Sequence, residues 1–373
     1  MDYALSTLEE AGRTRVALLA GERLLEYYED PPRSERVVGS VFLGRVERVL
    51  PDIGAAFVNI GLRQSGFLHL KEAQSFHRAG GEAALTSGQT VLVQARKAPK
   101  GGKGAFLTRD VSLPGQYVLV MPCNRFVGIS KRIELPEHRA RAQQLGERIA
   151  QSRFGVIVRH AALFADEGQV LEEAEALWAL WQSVQARAAR EKAPCLLHAE
   201  ASMADVLRRD YSARHFVAEV PWPDALVRRQ LREALGRRVE LPGGGSLVID
   251  EREALQTIDV NSGRTVKAQS LLGLPLEENL RAVPEIARQI RLRNLSGIIL
   301  VDFIDMPGEE ERRQVQARME EALSDDRVKN VVHGFTRLGL LEMTRKRTGE
   351  SLRELLTIPC ERCGEAGRVP RAD

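Results

Sequence analysis

The sequence predicts a multidomain α+β protein that has a small β-barrel in its N-terminal third and an α/β domain towards its C-terminus. Short apolar alternations separated by Gly or Pro over residues 36–110 are typical of the strands of a small barrel. Residues 246–345 instead alternate strand and helix patterns, which indicates an α/β sheet. The length of 373 residues is sufficient for about two to four such domains.

Composition and targeting signals narrow the class of protein. Apolar residues make up 43% of the chain and charged residues 28%, which excludes a disordered protein. No run approaches the roughly 18 apolar residues that cross a bilayer. The first ten residues, MDYALSTLEE, lack the pattern of a signal peptide. We therefore expect a cytoplasmic protein without a membrane span.

The charge is unevenly distributed, although the whole chain has a net charge of only +3. The predicted barrel, residues 36–110, contains 11 Lys and Arg against 5 Asp and Glu, a net charge of +6. The remainder of the chain therefore carries −3. A positive module on a nearly neutral body is typical of a protein that binds a polyanion.

The other segments have weaker patterns. Residues 1–35 are expected to form a β-hairpin, and residues 111–200 to combine strands with a long helix near 171–192. Trp178 and Trp181 lie three apart on that helix, where core packing is the favoured interpretation over base stacking. Residues 201–243 are expected to be helical and basic.

Polar side chains occur where two apolar strands of the α/β region end. Asp259 and Asn261 are two residues apart, so they point to the same face of their strand. Asp302 follows the apolar run 298–301, which is typical of a strand covered on both faces. A predicted helix connects the two strands, so both can join one sheet with the acids near its carboxyl edge, where active sites commonly lie.

Two interpretations of these side chains remain open at this point. Magnesium takes one or two carboxylates together with waters and substrate phosphates, activates water and neutralises charge during phosphate displacement. Asp259, Asp302 and Asn261 suit that role. Alternatively, Asp and Asn at strand ends only accept hydrogen bonds in turns and helix caps.

The basic module also contains aromatic candidates. Phe57 and Phe67 can share one face by alternation, with Arg63 and Lys71 nearby, and Lys103 lies in the glycine-rich segment KGGKG. Aromatic faces stack on unpaired bases while Lys and Arg bind phosphates. The alternative is that both Phe side chains fill the barrel core, and composition alone favours that alternative.

Five segments together resemble one known family, the ribonuclease E/G family of bacterial endoribonucleases. The resemblance runs in order from about residue 36 to 367 and is most specific around 246–345. It rests on the segments GSVFLGRVERVLPDIGAAFVNIGLRQSGFLHLKEA, GISKRIE, LVIDEREALQTIDVNSGR, EIARQIRLRNLSGIILVDFIDM and RLGLLEMTRKR.

The resemblance implies a domain layout. It consists of a reduced RNase H-like region that is interrupted by an OB-type barrel of the ribosomal S-one type, then a sensor of the RNA 5′ end, a DNase I-like catalytic domain and a zinc-link tail. The corresponding ranges are 1–35 with 201–245, then 36–110, 111–200, 246–350 and 351–373.

The resemblance also implies roles for individual residues. Asp259 and Asp302 match the family's magnesium ligands and Asn261 its assisting amide, whereas Asp305 matches a position that does not bind the metal. In the barrel, the positions that match the family's RNA contacts are Phe57, Phe67 and Lys103.

The sensor positions match the family only in part. Gly115, Leu119 and Arg159 correspond to family positions, but His160 stands in place of a Thr and Lys329 in place of an Arg. Protonated His is still able to donate to a phosphate. The substitution therefore leaves open whether the protein prefers a 5′-monophosphate.

The tail segment CERCGEAG is similar to the family's zinc link, in which each of two chains supplies two thiolates. Cys360 and Cys363 provide two of the four ligands that structural zinc requires, and a symmetric dimer would supply the other two. The alternatives are completion by Cys123 or Cys195 within one chain, or a redox pair.

Two further departures concern length. Segment 201–243 is much shorter than in the family, and the sequence stops soon after Cys363, without the family's small C-terminal domain or a degradosome scaffold. We therefore expect a zinc-linked homodimer that cleaves single-stranded RNA, with a role in processing ribosomal RNA or in decay of messenger RNA. The rival hypotheses are a non-catalytic RNA-binding protein and a DNA-directed nuclease.

Overall fold

The computed structural model describes residues 3–71, 85–99, 102–212, 215–242, 244–263, 274–306 and 308–360. Contacts divide the chain into two compact units. The first draws on Met1–Leu8, Arg15–Glu29 and Ala218–Asp373, and the second on Glu9–Thr14 and Asp30–Val217. Within the described residues, no helix has the length and apolar content that a bilayer crossing requires.

The described residues form helices and strands throughout both units. The strands are β1 (Tyr3–Glu10), β2 (Arg13–Ala20), β3 (Arg23–Asp30), β4 (Val41–Leu50), β5 (Ala55–Asn59), β6 (Gly66–His69), β7 (Thr90–Lys97), β8 (Phe106–Thr108), β9 (Leu113–Pro114), β10 (Val118–Met121), β11 (Val127–Ile129), β12 (Gly155–Val158), β13 (Cys195–His198), β14 (Val217–Glu219), β15 (Arg238–Glu240), β16 (Ser246–Glu251), β17 (Gln256–Asn261), β18 (Gly297–Asp302), β19 (Asn330–Phe335) and β20 (Leu341–Arg345). The helices with described bounds are α1 (Pro136–Ala150), α2 (Glu167–Ala188), α3 (Met203–Tyr211), α4 (Asp224–Leu235), α5 (Leu274–Leu292), α6 (Glu309–Leu323) and α7 (Leu352–Leu356).

The N-terminal segment contains the hairpin predicted over residues 1–35, formed by β2 and β3 in TRVALLAGERLLEYYED, and one strand that was not predicted, β1. Strands β1, β2 and β3 follow one another along the chain, and β14 adds to the free edge of β1 in the order β14-β1-β2-β3. The segment YALSTLEE has only two large apolar side chains, Tyr3 and Leu5, before its polar residues. Its strand signal is therefore weak, and pairing with neighbouring strands decides its structure.

The basic module is a closed five-stranded barrel that is consistent with an OB fold, as the sequence predicted. Strand β4 pairs with β5 on one side and with β7 on the other, which closes the order β4-β5-β6-β8-β7. Strand β13 pairs with the N-terminal part of β4. The core consists of small and branched side chains, including Val46, Ala56, Val58, Leu68, Val93 and Leu107.

A small sheet follows the barrel in the second unit. Its order is β11-β12-β10-β9, and helices α1 and α2 contribute to the same apolar cluster. Trp178 stacks on Phe154 with 4.9 Å between ring centroids, and Trp181 is buried in an adjacent cluster. Both indoles therefore belong to protein cores, which confirms core packing over base stacking.

The C-terminal sheet has the strand order β15-β16-β17-β18-β20-β19, with β17 and β18 parallel and the other pairs antiparallel. Helix α5 connects the two parallel strands and buries Ala282, Val283, Ile286 and Ile290 in the core of this sheet. Helix α6 adds Val315 and Met319 to the same core. The mixed α+β architecture expected from the sequence is present.

A buried ion pair joins the end of this sheet to the loop before it. Arg345 is 2% exposed and Asp326 is fully buried. The guanidinium donates to both carboxylate oxygens at 2.7 and 3.2 Å, and also to the Oδ1 of Asn294 and the carbonyl of Leu295. Because every acceptor is internal, removal of the carboxylate would leave a cation that water does not reach.

We predict that Asp326→Ala lowers the free energy of unfolding by about 3–5 kcal/mol, because Arg345 would keep its charge without a counter-ion. The matched control is Asp250→Ala, which removes the partner of the largely exposed Arg237 and costs no more than about 1 kcal/mol. Chemical denaturation measures both values. A loss below 1 kcal/mol for Asp326→Ala would contradict the assigned role of the pair.

Candidate active site and nucleic-acid interface

The two strand-end acids of the C-terminal sheet lie side by side. Strands β17 and β18 are parallel neighbours, and their register pairs Asp259 directly with Asp302. Paired residues of adjacent strands are about 5 Å apart and project from the same face. Both side chains are exposed. The fold therefore presents two carboxylates together to solvent.

Asn261 lies on the same face as Asp259 and contacts it directly. Its Nδ2 donates to Asp259 Oδ2 at 2.7 Å, which restricts the orientation of the carboxylate. The chain beyond Asn261 approaches the preceding turn so closely that a Cβ on Gly245 would be 2.6 Å from the carbonyl oxygen of Asn261. Gly245 also has a positive φ of 84°. Glycine is thus required on both grounds where this strand end packs.

The electrostatics of the pair are repulsive. Partial burial raises the pKa of Asp302 above its ordinary value, and the negative charges of Asp259 and Asp305 raise it further. All three effects disfavour the ionised form of Asp302. A cation placed between the carboxylates would offset the repulsion, because an opposite charge favours ionisation.

Asn279 on helix α5 supports the loop that follows Asp302 and was not predicted from the sequence. It is fully buried, donates from Nδ2 to the carbonyl of Ile304 at 2.8 Å and accepts from the Ile304 N–H at 3.0 Å. This pair of hydrogen bonds fixes the backbone between Asp302 and Asp305. The available signal was a polar side chain at a buried position of an amphipathic helix.

The donor set suits a hard divalent cation. The described residues contain no cluster of three or more His, Cys, Asp or Glu side chains arranged around a metal. Magnesium does not need such a cluster, because one or two carboxylates suffice when water and substrate phosphates complete the shell. Asp259 and Asp302 meet that requirement through their register and exposure.

On the barrel, Phe57 and Phe67 lie outside the core. They are paired residues of β5 and β6, their rings meet edge to face at 6.0 Å between centroids, and both are partly exposed. Their strand neighbours Val58 and Leu68 point inward and are fully buried. The two rings therefore do not fill the barrel interior, which was the alternative that composition favoured.

Two further barrel residues bear on RNA binding, of which the sequence predicted Lys103 but not Phe106. Lys103 is exposed in the loop between β7 and β8. A third ring that was not predicted, Phe106, pairs with Phe67 and stacks on it at 5.8 Å between centroids. The ammonium of Lys97 lies 5.8 Å from the centroid of Phe106. Strand β8 has only three residues, so alternation gave no clear signal for Phe106.

Four of the predicted sensor residues lie on the small sheet of the second unit or beside it. Gly115 is in the turn between β9 and β10, and Leu119 is on β10 opposite Ile157 of β12. Arg159 follows β12 and donates to the carbonyl of Gly115 and, at 2.9 Å, to Asp210.

His160 begins the short 3₁₀ helix His160–Phe164, and its ring meets that of Phe164 edge to face at 5.2 Å. Lys329 belongs to the other unit, where it is exposed immediately before β19. Of the tail cysteines, Cys360 is exposed, and Cys363 lies outside the described residues.

The turn beside Gly115 contains an internal anion. The carboxylate of Glu173 on α2 accepts from the backbone N–H groups of Gln116, Tyr117 and Val118 at 2.5, 2.7 and 3.0 Å. Successive N–H groups that converge in this way form an anion-binding concavity. Glu173 thus fills the group of donors nearest to the predicted sensor, which the sequence did not indicate.

These features define a class of protein. A basic barrel with outward aromatic rings, in the same chain as a carboxylate pair on an α/β sheet, is typical of enzymes that process nucleic acids. Comparison with known proteins identifies the family.

The model of the Ribonuclease E/G family matches residues 112–220 and 222–348. Ribonuclease G of Escherichia coli (strain K12) is 36% identical over 95% of this chain and 82% of its own length. Ribonuclease G of Haemophilus influenzae has the same identity and coverage. Ribonuclease E of Synechocystis sp. is 35% identical over 89% of this chain and 55% of its own length. The chain belongs to the Ribonuclease E/G family.

Proposed function

We propose that the protein is a magnesium-dependent endoribonuclease that cleaves single-stranded RNA and leaves a 5′-phosphate on the downstream product. Membership of the Ribonuclease E/G family makes it an endoribonuclease by class. The observation that carries the finer proposal is the register that pairs Asp259 with Asp302 on an exposed face. We place its activity in the cytoplasm, in ribosomal RNA processing or messenger RNA decay.

The proposed mechanism assigns a task to each side chain of the site. Asp259 and Asp302 would hold Mg²⁺, which when bound activates water and neutralises charge on the scissile phosphate. Asn261 orients Asp259 through its 2.7 Å hydrogen bond. Asn279 positions Asp302 indirectly, because its two hydrogen bonds to the backbone of Ile304 fix the loop that follows Asp302.

The barrel would hold the RNA strand. Phe57 and Phe67 offer faces for base stacking, and the exposed Lys103 supplies a positive charge for the RNA backbone. Their partial exposure and edge-to-face contact support this role. In the same proposal, the sheet β14-β1-β2-β3 belongs to a reduced RNase H-like region, and the sheet that bears the carboxylates is the DNase I-like domain.

The competing function is RNA binding without catalysis. A protein that only binds RNA gains nothing from two adjacent carboxylates, because they repel phosphate and each other. Burial and the acidic neighbours raise the pKa of Asp302, so it is unfavourable for both carboxylates to be ionised. A DNA-directed nuclease is the other competitor, and substrate comparison separates it.

Asp259→Asn and Asp302→Asn should each lower kcat for a single-stranded A/U-rich RNA on the order of 10²–10³-fold, because each removes charge that acts on the transition state. Chelation of magnesium should abolish cleavage by the wild type. Gel analysis of the products gives the rates, and mapping of the ends tests for the 5′-phosphate.

The matched control for catalysis is Asp250→Asn on the adjacent strand β16, whose carboxylate pairs with Arg237. It should retain activity within about threefold, since exposed ion pairs contribute little. Equal cleavage by wild type and both catalytic variants would exclude the mechanism. No cleavage by any of them would favour the binding protein, and faster cleavage of the matching DNA would favour the DNA nuclease.

We further propose that Gly115, Leu119, Arg159 and His160 of the second unit sense the 5′ end of the RNA. Lys329 of the first unit remains a predicted contact of the RNA end on the resemblance alone. The contacts of Arg159 support a site for an anion, because its guanidinium is directed at the Gly115 turn and already holds the carboxylate of Asp210. A 5′-monophosphate would compete with that carboxylate for the same donor.

Arg159→Ala should therefore reduce the preference for 5′-monophosphate over 5′-hydroxyl RNA by about 10- to 100-fold, the value of a charge-assisted hydrogen bond. Initial rates on the two substrates measure the preference. Arg208→Ala, which removes an exposed guanidinium that pairs with Asp205, is the control and should leave the ratio unchanged. A wild-type ratio near one would mean that the sensor is lost.

The last element of the proposal is a zinc ion shared by two chains through Cys360 and Cys363. The alternative ligands are less suitable. Cys123 and Cys195 pack beside an apolar cluster of the second unit, and burial raises the pKa of Cys195, which disfavours the thiolate that zinc requires.

Elemental analysis should find half a zinc per chain, and light scattering should find a dimer. Cys360→Ser together with Cys363→Ser should lose both the zinc and the dimer, whereas Cys195→Ala keeps them. A zinc-free protein, or zinc lost with Cys195→Ala, would contradict the shared site.

A further inference from the structure

A single row of side chains crosses all five strands of the barrel. The registers pair Arg48 with Phe57, Phe57 with Phe67, Phe67 with Phe106 and Phe106 with Lys97. The strands involved are β4, β5, β6, β8 and β7, the order in which the barrel closes. We refer to these five side chains as the cross-strand row: three adjacent rings with a cation at each end.

Two β-bulges bring the cations onto the aromatic face. The pairing of β4 with β5 shifts between Val46 and Arg48, and the pairing of β7 with β8 shifts between Ala95 and Lys97. Val46 and Ala95 are buried in the core, so regular alternation would also turn the residues two further along inward. Each bulge inserts one residue and reverses the face. Arg48 and Lys97 are consequently exposed.

The rings of the row are placed for contact with a ligand. All three Phe side chains are partly exposed, although the same strands bury Ala56, Leu68 and Leu107 completely. Neighbouring centroids are 6.0 and 5.8 Å apart. The bulges place a cation at each end of this ladder, which is the combination of aromatic faces and positive charge that a single-stranded nucleic acid requires.

We propose that Phe106 provides a third base-stacking position, so that the cross-strand row binds three successive unpaired bases while Lys97 and Arg48 contact the flanking phosphates. This inference rests on the proposed binding of single-stranded RNA by the barrel. It adds a nucleobase site at Phe106 and phosphate sites at Lys97 and Arg48 to the contacts of Phe57 and Phe67.

The spacing of the rings selects for unstacked RNA. Bases that remain stacked on each other repeat at about 3.4 Å along a strand. The rings of the row repeat at about 1.7 times that distance. A duplex cannot present its bases at this interval, whereas a single strand splays them onto aromatic faces. The row therefore discriminates by strandedness rather than by base identity.

The two ends of the row differ in charge. Glu47 stands beside Arg48, and its carboxylate accepts from Ser65 in the shallow pocket that these residues form with Phe57. At the other end, Lys97 follows the exposed Arg96. The negative charge of Glu47 weakens the attraction of Arg48 for phosphate, so Lys97 is the stronger phosphate contact of the two.

The test measures binding of a labelled single-stranded oligoribonucleotide and of a perfect RNA duplex by fluorescence anisotropy, without magnesium so that no cleavage occurs. Phe106→Ala should weaken single-strand binding about 5- to 150-fold, the range of one stacked base. Duplex binding should change less than twofold. Phe106→Tyr should restore single-strand affinity, because it retains the aromatic face.

The phosphate contact has its own readout. Lys97→Gln should reduce the slope of log K against log salt by about 0.7, the value for one phosphate contact with a single strand. Arg48→Gln should reduce it less. An unchanged slope for Lys97→Gln would overturn the proposed phosphate site.

Controls separate this inference from the proposed function on which it rests. Phe126→Ala removes an exposed ring outside the barrel and should leave binding unchanged. If Phe57→Ala weakens binding and Phe106→Ala does not, the third position is wrong and the RNA-binding barrel stands. If neither weakens binding, the barrel proposal itself fails. Equal losses for Phe106→Ala and Phe106→Tyr would indicate a structural effect and overturn the stacking role.

Discussion

The pairing of β17 with β18 holds two like charges together, and the site depends on this constraint. Free carboxylates would separate, but the hydrogen bonds of a parallel sheet fix Asp259 opposite Asp302. The cost is visible in the raised pKa of Asp302, to which burial and the acidic neighbours both contribute. Two amides restrict the remaining freedom of these acids. Asn279 fixes the backbone after Asp302, and Asn261 orients the carboxylate of Asp259.

In the barrel, two β-bulges place cations beside aromatic rings. In a regular strand every second residue is buried, so Arg48 and Lys97 would point into the core, away from the exposed aromatic rings. The bulges before Arg48 and Lys97 change the phase by one residue at each end of the row. The surface that results combines flat apolar faces with flanking charge, which is the chemistry that single-stranded nucleic acid requires.

Internal carboxylates occupy donors in the region of the predicted sensor. Glu173 accepts three backbone hydrogen bonds in the turn after Gly115, and Asp210 accepts from Arg159. These acids satisfy buried or partly buried donors within the fold. Arg159 and the turn after Gly115 therefore both have internal carboxylate partners.

The sequence by itself determined the α+β class, the barrel and the two strand ends that carry acids, because alternation and apolar runs report burial along one segment at a time. Tertiary pairing decided everything that relates one segment to another. Pairing with its neighbours formed the additional N-terminal strand, β1. The register aligned Asp259 with Asp302, and a bulge turned Lys97 outward beside Phe106. The register of β17 and β18 is set by hydrogen bonds between strands that are distant in sequence, and each bulge is set by the pairing of a strand with its neighbour, so no pattern within one strand records them.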